Sequence, residues 1–129
     1  MPSEILPDCP SSTASALDAQ ALERLRELDP EGQAGIVVRV LTAYDRSLQD
    51  ALPTVREARD AGDLDSLRRV AHTLKSASAS VGALEFARLC VQVEAAARAG
   101  DNAGMPALTE CFEHEARRVL LELEAILSS

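Results

Sequence analysis

The stretch DLDSLRRVAHTLKSASASVG, residues 63–82, decides the fold. Its apolar positions Leu64, Leu67, Val70, Ala71, Leu74, Ala77 and Val81 recur every three or four residues, which is the period of an α-helix. Asp63 is a good N-cap, because its carboxylate can accept from the free N–H groups of the first turn, and Gly82 is a natural stop. Turning each residue by about 100° from Leu67 brings Val70, Ala71, Leu74, Ser78 and Val81 to one side. The opposite half carries Asp65, Arg68, Arg69, His72, Lys75, Ser76 and Ala79. The helix therefore has one dry face and one wet face, and His72 stands on the wet one.

A half-dry helix needs partners, and the flanking sequence supplies more helices. Upstream, Val37, Val40, Leu41, Tyr44, Leu48, Leu52, Val55 and Ala58 form one stripe, from a start near Glu31 or Gly32 to a stop at Gly62. Pro53 lies within that run and predicts a kink or break near Gln49 to Leu52, the stripe continuing through it favouring a kink. A shorter helix, capped by Thr13 or Ser15, carries Leu17, Ala21, Leu25 and Leu28 and ends at Asp29-Pro30. Downstream, Phe86, Cys90, Val93 and Ala97 point inward on a helix from about Ala83 to Ala99, with Gly100 as its stop. A last helix begins between Asp101 and Pro106 and carries Leu108, Phe112, Ala116, Val119, Leu123 and Ile126. Connectors of a few residues at Gly62-Asp63 and Gly100-Asp101 place consecutive helices side by side and antiparallel. The expected fold is all-α: an antiparallel up-down four-helix bundle with a short additional N-terminal helix. Residues 1–14, with Pro2, Pro7 and Pro10 and no sustained apolar period, read as a flexible N-terminal arm, and residues 15–129 as one domain.

Composition agrees. The chain has 129 residues, 47% of them apolar but only 2% aromatic, so a single aliphatic core between helices fits better than a sheet. A formal net charge of -8 makes a nucleic-acid backbone an improbable partner. No apolar run approaches the roughly 20 residues that cross a bilayer, and the first residues lack the basic and apolar regions of a secretory signal, so a cytoplasmic protein is expected. Cys9, Cys90 and Cys111 are widely spaced without a C-x-x-C pair and read as free thiols, the latter two filling small core positions.

An exposed histidine on a helix is usually idle, so its surroundings decide. Lys75 lies one turn on from His72, while Ala71, Ser76 and Ala79 keep the neighbourhood small enough for another protein surface to approach. Residues 63–82 hold Arg68, Arg69 and Lys75 against Asp63 and Asp65, a locally basic segment inside an acidic chain. By charge alone a solvated helix face is the better reading, and an anion site the lesser one until the motif is considered. The run Ala71-His72-Thr73-Leu74-Lys75-Ser76, followed by small residues, the Gly82-Ala83 turn and Leu89-Cys90 through Glu94, closely resembles the histidine-containing phosphotransfer (HPt) domain. The motif match covers about 24 contiguous residues, and the helical plan extends it over roughly residues 16–127.

The resemblance implies a carrier that takes a phosphoryl group onto His72 from a receiver-domain aspartate or a kinase, and yields it to another receiver aspartate. It implies that Lys75 helps hold the phosphoryl oxygens. It also implies that Glu94 accepts the proton of the inner ring nitrogen, fixing the tautomer and freeing the outer lone pair to attack. Arg68, Arg69, Ser76 and Ala79 are the expected docking contacts, and Gly82 a structural residue whose left-handed conformation lets the third and fourth helices pack closely. Many members have Gly where this chain has Ser76, which tightens the approach or adds a hydrogen bond. The chain has no G-x-x-x-x-G-K-[ST], no Gly-rich ATP cover and no acidic cluster for a metal, so it is expected to be no enzyme and to need no cofactor, with Mg²⁺ on the receiver partner only. A monomer binding a receiver domain or hybrid sensor kinase, with no nucleic acid and no membrane, completes the expectation. The alternatives are a helical adaptor that is never phosphorylated, a small metal-dependent enzyme using His72 and His114, and a piece of a larger hybrid kinase.

Overall fold

The computed structural model describes residues 15–32 and 35–128. The expected arm, residues 1–14, and the cap candidate Thr13 lie outside them. Five helices follow in order: α1 Ala19–Glu27, α2 Ile36–Ala61, α3 Leu64–Val81, α4 Leu84–Arg98 and α5 Met105–Leu127. Helices α2, α3, α4 and α5 pack each against the next, and α5 closes back on α2, while α1 lies across α2 and α3. The result is the expected up-down bundle with its extra helix, and α3 against α4 is its most extensive seam.

Most seam residues are those the periodicity selects; Leu89 joins them, and Val70 is only half-buried. Leu67, Ala71, Leu74, Ser78 and Val81 of α3 are buried, as are Phe86, Leu89, Cys90, Val93 and Ala97 of α4. Leu41, Tyr44, Leu48 and Val55 of α2 and Phe112, Ala116, Val119 and Leu123 of α5 complete the core. Both phenylalanines are fully buried and their ring centroids lie 4.7 Å apart at a 52° tilt, tying α4 to α5 through a favoured tilted contact. Tyr44 reaches its hydroxyl across to Ser78, 2.7 Å away, so the polar tips of two buried side chains satisfy one another. Burial pushes the Tyr44 hydroxyl far above its ordinary range, which keeps it neutral.

Two helix starts differ from those read in the sequence. The first helix starts at Ala19, capped by Asp18, whose carboxylate accepts from the Ala21 N–H at 3.1 Å. Ser15 caps nothing. Its hydroxyl donates to Glu122 of α5 at 2.7 Å, and the same carboxylate accepts from the N–H groups of Ala16 and Leu17, so Glu122 pins the segment before α1 onto the bundle. The second helix starts at Ile36, beyond left-handed Gly32 and Gly35, where Asp29 reaches back to the Ile36 N–H. Pro53 does not break α2, which runs unbroken for 26 residues. Gln49 and Pro53 face outward, where water can serve the carbonyl that loses its donor. Finally, the expectation of free thiols fails at Cys111, which is disulfide-bonded, and holds at Cys90, which is buried and free.

Candidate functional site

Asp63 caps α3 as expected, accepting from the Ser66 N–H at 3.2 Å and the Ser66 hydroxyl at 2.7 Å, and so fixes where the helix begins. From that start, nine residues along, His72 emerges on the outer face with 66% of its side chain exposed. The ring is neither walled in nor loose. Its Nδ1 lies 2.9 Å from Oε2 of Glu94, a residue of α4 whose side chain is only 6% exposed. An ionised carboxylate can only accept, so Nδ1 carries the proton and donates it. The other nitrogen, Nε2, then keeps its lone pair and has no protein partner among the described hydrogen bonds.

Glu94 is held from two more sides. The Lys75 ammonium donates to Oε1 at 2.9 Å, and the Arg98 guanidinium donates to Oε2 at 3.1 Å from one turn further along α4. The hydrogen bonds from Lys75 and from His72, in that order, outweigh burial and bring the Glu94 carboxyl down to about 2 from its ordinary 4.5. It is therefore ionised at any working pH. A buried charge is tolerable only with such partners, and here both oxygens have them.

His72, Lys75 and Glu94, read as a group from the sequence, thus meet at one place. Arg98 joins them and was not foreseen; its signal is the spacing of four between Glu94 and Arg98, which puts both on one helix face. Arg68 and Arg69 are on the exposed half of α3, but each is paired with Asp65, at 2.8 and 3.4 Å, so the patch is less basic than its sequence suggests. Ser76 and Ala79 are exposed on α3. His114 is exposed on α5, and no three metal-ligating side chains converge among the described residues.

Gly82 is left-handed, with φ of +89°, as expected, but the close neighbour is not the next helix. A Cβ there would come within 2.8 Å of the Ala21 Cβ and 3.0 Å of the Asp18 backbone, and the Gly82 carbonyl accepts from the Asp18 N–H at 2.7 Å. The turn between α3 and α4 is thus where α1 docks.

A four-helix bundle that presents a tautomer-fixed, water-facing imidazole beside an ammonium is the arrangement of a phosphoryl carrier. The model of the Hpt domain family matches residues 39–129, and the chain belongs to that family of histidine phosphotransfer domains. Among solved structures, the histidine-containing phosphotransfer protein B (HptB) of Pseudomonas aeruginosa PAO1 is similar, with 28% sequence identity and a TM-score of 0.79 over 90% of this chain and 97% of that one. A comparison with curated proteins found no match.

Proposed function

We propose that this protein accepts a phosphoryl group on Nε2 of His72 from a receiver-domain aspartate or a kinase, and passes it to another receiver aspartate in a two-component phosphorelay. The observation that carries the reading is the divided histidine: one nitrogen tied at 2.9 Å to a buried carboxylate, the other in solvent. In the transfer, the Nε2 lone pair forms the N–P bond as the phosphoryl–oxygen bond to the aspartate breaks and the carboxylate leaves. The ring becomes cationic, its Nδ1–H becomes a stronger donor, and Glu94 stabilises the developing charge. Lys75 is one helical turn away and meets the incoming phosphoryl oxygens by exchanging its bond to Glu94 for one to them.

Such a carrier needs no ATP site or metal of its own, because phosphoryl transfer depends on positioning and charge neutralisation, and the receiver's Mg²⁺ and aspartate supply those. Arg68, Arg69, Ser76 and Ala79 line the approach to His72 along α3 and are the proposed contacts of a transient docking surface. The proposed carrier acts in the cytoplasm as a monomer; no helix among the described residues is long and apolar enough to cross a membrane. The test is incubation with a phosphorylated receiver domain. Acid-labile, base-stable label on the wild type and none on His72→Gln is the expected result; label that survives in His72→Gln, or none on either, overturns the proposal.

A further inference from the structure

We infer that Arg98 is a positioning residue, the counter-ion that holds Glu94 in place when Lys75 leaves it for the phosphoryl group. The inference rests on the carrier reading above and concerns a residue that takes no part in bond making. Glu94 is nearly buried and has two cations, Lys75 on Oε1 and Arg98 on Oε2, the latter sharing its oxygen with Nδ1 of His72. If one ammonium must serve both this carboxylate and a phosphoryl group, it cannot satisfy both at once. Removing Lys75 from a carboxylate with no second cation would leave a buried charge facing an incoming anion, which is costly.

Arg98 removes that conflict. With the ring neutral, the two cations exceed the one carboxylate by a single charge. Adding PO₃⁻ brings the group to neutrality, with Lys75 matched to phosphoryl oxygen and Arg98 to Glu94. Without Arg98 the phosphorylated group would be left with an excess negative charge. Geometry favours the same division of labour. Arg98 is four residues from Glu94 on the same helix, so its bond is local and survives movement on α3, whereas the Lys75 bond spans two helices. The other charges near the ring do not substitute. On α3, Arg68 and Arg69 are both engaged by Asp65, and the α2 side contributes Asp50, which lines the groove beside Arg69 and Thr73. Arg98 itself is 66% exposed, so the role is bound to be modest in size and to need no refolding when the residue is changed.

The experiment mixes each variant with a phosphorylated receiver domain that loads the wild type, and measures the equilibrium partition of label between receiver and His72. Arg98→Ala and Arg98→Gln are expected to shift the partition about threefold to fivefold toward the receiver, the size of an exposed charged pair. Arg98→Lys should recover most of that shift, and Arg88→Ala, on the same helix but paired with Glu85, should show none. Melting temperature and helical content should match the wild type throughout. A wild-type partition in both Arg98→Ala and Arg98→Gln overturns the inference and leaves the carrier standing, as does a shift that tracks a fall in melting temperature alone. A wild type that no receiver loads overturns the carrier, and the inference with it.

Discussion

At the scale of single residues, the site is a carboxylate with three donors, and the proposed function gives each donor a different task. Lys75 is the one lysine in a chain of 13 basic residues, and a compact ammonium on a flexible stem is suited to moving between two anions. Lys75→Ala should slow phosphorylation of His72 by about tenfold or more, as loss of a charge-assisted contact to a reacting group does, with the melting temperature nearly unchanged. Glu94→Ala should impair transfer more than Glu94→Gln, because the amide oxygen still accepts from Nδ1. Equal loss, measured as initial transfer rates, would contradict the tautomer role. The Glu94 carboxyl also predicts a pH dependence. Its folded value, about 2, lies below the ordinary 4.5, so its contribution to stability is complete above about 4.5 and is lost as pH falls toward 2. Melting temperature followed over that window should drop less steeply in Glu94→Gln than in the wild type.

At the scale of elements, the turn between α3 and α4 is a point of close packing. Gly82 combines a left-handed backbone with a contact that leaves no room for a side chain, since Ala21 and Asp18 of α1 crowd it. Gly82→Ala should cost about 2 kcal/mol or more, from the left-handed strain and the displaced α1 together, while the bond between His72 and Glu94, lying away from that turn, persists. Thermal unfolding with a parallel transfer assay checks both halves: a variant of normal stability but no transfer would contradict this assignment. Element boundaries were the part of the fold least legible in the sequence, and the reasons are physical. Ser15 and Asp18 are equally good caps by residue type, and only the distant carboxylate of Glu122, more than 100 residues along the chain, decides that Ser15 serves elsewhere. Pro53 removes a donor and so allows a kink or a break; the apolar stripe that continues through it favours a kink over a break, and its place on the outer face of α2 lets the helix continue.

At the scale of the whole molecule, the bundle works as a rigid mount. Helix α3 carries His72 and Lys75, the proposed nucleophile and phosphoryl-binding cation, α4 carries Glu94 and Arg98, and their extensive seam sets the distance between them. The core faces of all four helices followed from period alone, because burial repeats with the helical turn. His72 was legible as exposed by the same argument, Lys75 as its neighbour one turn on, and Glu94 by resemblance to a family. Arg98 was not, since a lone arginine on an exposed face has many idle explanations until its carboxylate is seen to be buried. The disulfide of Cys111 was equally invisible, because spacing along a chain does not encode which cysteines meet in space.

The central claim is that one ring nitrogen is committed to Glu94 and the other is the acceptor. Nitrogen NMR on protein with labelled histidine, before and after reaction with a phosphorylated receiver domain, tests it directly. The account predicts a neutral ring protonated on Nδ1 beforehand, and a phosphorus-coupled Nε2 with Nδ1–H retained afterwards. A ring protonated on Nε2 at the start, or phosphorus on Nδ1 at the end, would contradict it.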